Sequence, residues 1–450
     1  MNTLSLAVVG HTNTGKTSLL RTLLRDEQFG EVKNSAATTR DVTEAPIHDG
    51  SRTLVKLYDT PGLEDAAGVL DWLERETSPR LDGIERIQAF LHSEAAATDF
   101  NQEAKVLRQM LASDTGLYVI DAREPVLARY KDELTVLSWC ARPLMPVFNF
   151  THGADTAAWQ EMLARRGLHV YSSFDTVAFD FEGEMRLWNN LATMLPPPNP
   201  LTELAALRRR DWQQLDQEAR QAVAAFLLEA AAYKQEIDAD DDPQPVQQQM
   251  QEALRQRERQ MQRELLQIYR FYREDPVAAD DWVLQPLRQD PFDAALWKHY
   301  GIRTTSGAAT GALFGLGIDA LTLGASGGLG TAVGGILGGL LPNMQTLSDK
   351  ISGRQTFYTD EATLNLLAAR ALDLLARIQA RGHAAQNDIR LEHGRAPWPD
   401  NRLPSVLTDA RHRPEYSSLN GGSVEKAEYS RREAAEKLAV RLTTVQAPYA

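Results

Sequence analysis

The sequence predicts an α/β domain on a mixed, mostly parallel sheet, followed by a mainly α-helical domain. Three observations carry this. Short apolar runs alternate with helical stretches through roughly the first 180 residues, the pattern of a parallel sheet covered on both faces. A glycine-bounded loop joins the first apolar run to the first helix. A proline-rich link, Leu195-Pro196-Pro197-Pro198-Asn199-Pro200, then gives way to a long stretch of helix formers.

The elements follow in order. Leu4–Val9 reads as a strand, and Ser18–Leu24 carries leucines at helical spacing. Thr43–His48 and Thr53–Tyr58 flank Asp49-Gly50, a pair that favours a tight hairpin turn. Gly116–Ile120 and Met145–Asn149 read as buried strands, with helices over Ala67–Glu76 and Asn101–Leu111. A last strand is expected within Leu168–Phe179, and the proline-rich link beyond it sets the first domain at 1–195. In the second domain, 196–450, Leu201–Ile237 and Val246–Tyr272 read as long helices separated by the acidic break Asp238–Pro245. Arg255, Arg257, Arg259 and Arg263 on the later helix read as a solvated face rather than a phosphate-binding stripe. Glu361–Gln379 and Val424–Leu442 are further helices, and Pro397, Pro399, Pro404 and Pro414 make Arg381–Gly422 mostly irregular.

Composition narrows the function classes. With 43% hydrophobic and 24% charged residues, the 450-residue chain is a folded protein of more than one domain. A formal charge of −13 makes nucleic acid an unlikely partner, because phosphates need a basic surface. Cys140 is the only cysteine, so no disulfide forms within the chain, and beside Trp139 it is expected to be packed. The start MNTLSLAVVG lacks the basic flank and long apolar core of a signal peptide, so a cytoplasmic location is expected.

The loop Gly10-His11-Thr12-Asn13-Thr14-Gly15-Lys16-Thr17 sits between strand and helix, the context a phosphate-binding loop requires. Its glycines let the backbone curl around an anion, and its N–H groups face phosphate oxygens at the helix N-terminus. Gly10, Asn13, Thr14, Gly15, Lys16, Thr17 and Ser18 are the expected contacts, with Lys16 reaching the terminal phosphates and the Thr17 hydroxyl on Mg²⁺. Asp59-Thr60-Pro61-Gly62 follows an apolar strand, so Asp59 emerges beside that loop towards the metal and Gly62 offers a free N–H to the γ-phosphate. Thr38-Thr39-Arg40 can supply a threonine to the metal, Thr39 being favoured and Thr38 the alternative. Lys16 and Thr39 are thus the expected catalytic residues, and Thr17, Thr39 and Asp59 the metal ligands. Each element alone could be a mere turn or loop; the three in order are specific.

The succession GHTNTGKT, TTRDV, DTPG resembles that of the bacterial Era/TrmE-type GTPases over roughly the first 180 residues. The rest is similar to an uncharacterised helical domain attached to some of them. The resemblance implies a Ras-like sheet, GTP as ligand, and K⁺ held by Asn13, a residue that otherwise stabilises the loop by hydrogen bonds. It also assigns Asn149 to base recognition. Two departures follow from it. Leu63 stands where Ras-like enzymes carry a water-positioning glutamine, so hydrolysis needs another route, such as K⁺ or a group supplied by a homodimer. The base motif Asn-Lys-x-Asp is Asn149-Phe150-Thr151-His152, which lacks the carboxylate that reads guanine, and weak discrimination against ATP is expected. Asp155, or Ser172-Ser173 for a neighbouring loop, are the nearby substitutes.

Residues 304–342 are the remaining feature. Gly307, Gly311 and Gly315 recur every four residues, as do Gly330, Gly334 and Gly338, giving flat helix faces for close packing. Ala320–Leu341 carries no charge in 22 residues and as one helix would span roughly 33 Å. The segment reads either as a buried helical hairpin or as one that enters or docks on a membrane, which would place the protein at the inner membrane. The whole reads as a GTP-dependent switch with slow hydrolysis. An RNA- or ribosome-associated GTPase and a non-hydrolysing assembly protein are the alternatives.

Overall fold

The computed structural model describes residues 3–26, 29–30, 41–238, 240–271, 290–292, 296, 299–302, 316–318, 354–382, 396–421 and 427–444. Thr38, Thr39 and Arg40 lie outside them, as does the glycine-rich segment apart from Leu316–Ile318. The chain divides into two compact units. The first holds 1–213 with 270–272 and 379–386, and the second holds 214–269, 273–378 and 387–450.

The first unit is built on a six-stranded sheet. Its strands are β1 (Leu4–Val9), β2 (Thr43–Asp49), β3 (Arg52–Asp59), β4 (Thr115–Asp121), β5 (Leu144–Asn149) and β6 (Ser172–Ser173). They lie in the order β2-β3-β1-β4-β5-β6. All pairs are parallel except β2–β3, a hairpin whose turn is allowed by Gly50 at φ 57°. The two-residue period of the central strands sorts their side chains between two cores. Leu4, Leu6, Val8, Leu117, Val119, Met145 and Val147 pack with Leu19, Leu20 and Leu23 of α1 (Lys16–Leu24) and with Met185, Leu187 and Trp188 of α7 (Phe181–Met194). Ala7, Val9, Tyr118, Ile120 and Phe148 face the other way, onto α2 (Ala66–Glu76), α3 (Gly83–Leu91), α4 (Asn101–Ala112), α5 (Ala128–Ser138) and α6 (Ala157–Ala164). Cys140 is buried in that second core, and burial pushes its thiol up to about 12, which makes it unreactive.

Parallel pairing decides where loops meet. Val8 of β1 is opposite Asp59 of β3, and Asp121 of β4 is opposite Asn149 of β5. The carboxyl ends of β1, β3, β4 and β5 therefore open on one edge, where ligands of such sheets bind.

The second unit is mainly helical: most of α8 (Leu201–Ala232), then α9 (Pro243–Ile268), α10 (Glu361–Gln379), α11 (Ser405–Ala410) and α12 (Glu428–Thr443). It also contains a three-stranded antiparallel sheet, β7 (Lys234–Asp238), β9 (Arg354–Thr359) and β8 (Leu316–Ile318), in the order β7-β9-β8. The expected helix over Leu201–Ile237 therefore ends early. Asn420 donates to the carbonyl of Ala232 and accepts from the N–H of Lys234, which closes the helix and starts the strand. Leu316–Ile318, inside the segment expected to be a helical hairpin, pairs as a strand with β9 instead. Among the described residues no helix is long and apolar enough to cross a membrane.

The arginines of α9 are not a free stripe. Arg255 pairs with Asp290 and Glu252, Arg259 with Glu252, and Arg257 with the buried Glu229, which also takes Arg431 and the Ser418 hydroxyl. Helix α10 is buried almost all round, mostly through leucine and alanine but with Thr363, Asn365, Arg370 and Asp373 enclosed as well. Its most deeply enclosed guanidinium, Arg370, meets Glu258 of α9 at 2.7 Å, both side chains being at most 3% exposed. Arg370→Met should therefore destabilise the unit by about 3–5 kcal/mol, because it leaves Glu258 charged and buried. Adding Glu258→Met should restore most of that loss. Urea unfolding of the two variants checks this, and equal losses in both would remove the ion pair as the cause.

Candidate functional site

The loop after β1 turns where the sequence places glycine. Gly10 has φ 143°, and a Cβ there would lie 2.6 Å from the carbonyl oxygen of Val119. Gly15 has φ 90°, and a Cβ there would run into the side-chain nitrogen of Asn149. Between them Asn13 also takes a positive φ of 66°, a conformation asparagine tolerates, and its side chain is exposed. The Thr14 hydroxyl closes the curl by donating to His11 O at 3.0 Å. Behind the loop, His11 Nδ1 donates to Glu133 Oε1 at 2.7 Å, and the other oxygen of that buried carboxylate accepts from the Tyr118 hydroxyl at 2.7 Å.

Lys16 opens α1 and is nearly enclosed. Its ammonium donates to the carbonyls of Gly10 (3.1 Å) and His11 (2.7 Å). Burial lowers its pKa to about 8, against the pull of Asp59, Glu133 and Glu64. Thr17 donates to Asp59 Oδ2 at 2.7 Å, so a hydroxyl and a carboxylate stand side by side where β3 ends. Two hard oxygen donors from different elements suit Mg²⁺, which keeps most of its waters in such sites. Ser18 follows in the first turn of α1, where its carbonyl accepts from the Thr22 hydroxyl. Among the described residues no group of three His, Cys, Asp or Glu side chains could hold a metal by itself.

Thr60 donates to Val8 O at 2.7 Å and holds the end of β3 against β1. Gly62 lies so close to Thr12 that a Cβ would collide with its side chain and backbone. Leu63 N donates to Gly10 O at 3.2 Å, and the Leu63 side chain is fully buried in the core. The position of the expected glutamine is thus turned inward. The backbone N–H groups of Glu64 and Asp65 are held by Glu103 of α4, which the sequence reading did not single out.

On the far side, Asn149 is fully buried. Its Nδ2 donates to Thr14 O at 3.1 Å, and its Oδ1 accepts from Phe150 N, Thr176 N and the Thr176 hydroxyl at 2.9–3.1 Å. Phe150, where the family carries lysine, has φ 55° and lies under the Arg123 guanidinium, 4.1 Å from its ring centroid. Arg123 is itself clamped by Asp121 at 2.7 and 2.9 Å. Asp155 accepts from Ala157 N at 2.9 Å as α6 begins, and the Ser172 hydroxyl is engaged by Asn190 at 3.0 Å. Thr14, Gly15, Lys16, Thr17, Asp59, Gly62 and Asn149 are therefore brought together, with Gly10 and Ser18 beside them. Glu133 and Thr176 join them without a sequence signal, because each is defined by a contact far along the chain, and Arg123 does so through Phe150.

Residues 160–440 match the family model described as a domain of unknown function, DUF3482. The chain belongs to that family. Residues 5–149 match the model of the 50S ribosome-binding GTPase, so this DUF3482 protein is an Era/TrmE-like P-loop GTPase with an extra C-terminal domain. The tRNA modification GTPase MnmE of Mycoplasma mobile is 36% identical over 109 residues, 23% of this chain and 24% of that protein. The GTPase Der of Thermoanaerobacter sp. (strain X514) is 29% identical over 207 residues, 44% and 45% of the two chains. The chain thus spans less than half the length of these relatives. Among solved structures, Era in complex with MgGDPNP and nucleotides 1506–1542 of 16S ribosomal RNA has a TM-score of 0.33 at 17% identity, covering 49% of this chain and 67% of that one. The G domain of the T. maritima FeoB iron transporter has a TM-score of 0.27 at 16% identity, covering 43% and 99%.

A lysine that titrates near 8 before phosphate arrives must take up a proton to bind it above that pH. Affinity for Mg²⁺–GTP should be flat below about pH 7 and fall by up to about tenfold per pH unit above 8. Calorimetry at about pH 8.5 in two buffers of different ionisation enthalpy should show net proton uptake. Lys16→Ala should abolish both the binding and the uptake with the unfolding midpoint unchanged. Undiminished affinity in that variant would remove Lys16 from the phosphate site.

Proposed function

We propose that the chain is a GTP-dependent molecular switch that hydrolyses GTP slowly, with the nucleotide domain over 1–195 acting on a helical domain over 196–450. The observation that carries this is the Thr17–Asp59 pair beside a buried lysine, at the mouth of a loop curled for phosphate. Mg²⁺ held by Thr17 and Asp59, with Thr39, would neutralise charge on the terminal phosphates. Lys16 supplies the fixed positive charge, and the N–H groups of the loop and of Gly62 orient the γ-phosphate. Leu63 is buried and supplies no group to a water, which supports a slow intrinsic rate. K⁺ held at Asn13, or a second copy of the chain, would supply the missing charge.

A second reading, an RNA- or ribosome-associated GTPase, is favoured by the descriptions of its relatives as tRNA-modifying and 50S-binding. Those descriptions weaken the exclusion drawn from a charge of −13. The uncharged run Ala320–Leu341 supports membrane contact as a further property of the switch.

Phosphate release from the purified chain tests the first reading. It should rise when K⁺ replaces Na⁺ at constant ionic strength and fall at least about tenfold in Asp59→Ala. No release in either salt would favour a non-hydrolysing assembly protein. Deleting residues 306–341 should abolish flotation with anionic liposomes; a wild-type chain that never floats, in any nucleotide state, removes the membrane contact.

A further inference from the structure

The base-reading position of the Asn-Lys-x-Asp motif falls on His152, which lacks the paired carboxylate acceptors that read guanine. A carboxylate reaches that place from another loop. Asp175 lies in the turn after β6, and its Oδ2 stands 3.4 Å from the main-chain nitrogen of His152. An aspartate at position 152 would hold its own carboxylate oxygens within about 3–5 Å of that same nitrogen, from bond lengths alone. The Asp175 carboxylate therefore stands beside position 152, where the motif would have supplied its own.

Its orientation is fixed. Oδ1 accepts from the N–H groups of Val177 (2.9 Å) and Ala178 (3.0 Å), an Asx-type turn that locks the side chain. Oδ2 keeps acceptor capacity, since its contact to His152 is long. The next residue, Thr176, gives both its N–H and its hydroxyl to Asn149, so the turn carrying Asp175 is tied to the asparagine that grips the phosphate loop. The half-buried Phe150 ring is packed beside Gly15 of the phosphate loop and under the Arg123 guanidinium, which holds the start of the altered motif in place.

We infer that Asp175 is the guanine-reading residue of this site, with Oδ2 accepting from the N–H groups on the N1/N2 edge of the base. The inference rests on the nucleotide-switch reading above and names its base. Guanine offers donors on that edge. Adenine offers a bare ring nitrogen at N1, whose lone pair would face the carboxylate unpaired. The altered motif then leaves selectivity intact, against the weak discrimination expected from sequence.

Competition binding of GTP, ATP and xanthosine triphosphate to the full-length chain with Mg²⁺ tests this. The wild type should prefer GTP over ATP by at least roughly a hundredfold. Asp175→Asn keeps the oxygen that caps Val177 and Ala178 and replaces Oδ2 by an amide N–H₂ donor. That donor opposes the guanine donors but matches xanthine, which carries a carbonyl at C2. GTP affinity should fall roughly 10–100-fold, xanthosine triphosphate should gain, and ATP should be unchanged. Asp155→Asn should alter none of the three. Equal loss of GTP and xanthosine triphosphate would make Asp175 a structural cap only and overturn the inference, as would an undiminished GTP preference. Tight binding of GTP and ATP alike by the wild type would overturn it while leaving the phosphate site standing. A wild type that binds no triphosphate overturns the switch reading and the inference together.

Discussion

The carboxamide of Asn149 holds together three loops that the sheet only brings near one another. One nitrogen grips the phosphate loop at Thr14 O, and one oxygen gathers the N–H of Phe150 with both donors of Thr176. All this happens without solvent, where an unsatisfied amide costs about 1–3 kcal/mol and a satisfied one has no competing partner. Gly15 is the necessary complement, because the amide nitrogen stands where its side chain would begin. The loop after β1 and the turn after β6 are thereby tied through one side chain, and neither can shift without breaking a hydrogen bond to it.

Enclosure shapes the charge in the same site. Lys16 lies among the loop carbonyls, and desolvation outweighs the three carboxylates that favour its ammonium. A charge held at such a disadvantage gains strongly from an anion, since little water has to be displaced when phosphate arrives. Glu133 contributes from behind, through His11 and Tyr118, to the same loop. The arrangement is prepared before the ligand enters.

What the sequence disclosed follows the range of its signals. Short apolar runs and the Asp49-Gly50 turn placed β1 to β5 within a residue or two of their ends, because burial writes itself into neighbouring residues. The phosphate loop and DTPG were legible because backbone geometry demands glycine at fixed offsets. The second unit's sheet was not, since β7 is a polar run, Lys-Gln-Glu-Ile-Asp, whose strand state is decided by pairing with residues more than a hundred positions later. Helix propensity carried the expected helix on through that run. Asn420, equally remote, is what ends it.

The loop beyond β6 shows the same rule at the site itself. Thr176–Phe179 has little regular structure of its own and is braced by chain that follows α10. Phe179 N donates to Ala380 O, Gly382 N donates to Val177 O, and Ala178 pairs with Arg381. Gly382 lies so close to the Thr176 carbonyl that any side chain there would displace the loop. Residues 379–386 belong to the first unit although α10 belongs almost wholly to the second. The turn that carries Asp175 and secures Asn149 is thus fixed by a segment some 200 residues away, covalently continuous with a buried helix. A motif scan reads only neighbours along the chain. It registers a lost carboxylate at His152 and misses one delivered across space, because the chain that shapes the delivery leaves no mark near either residue.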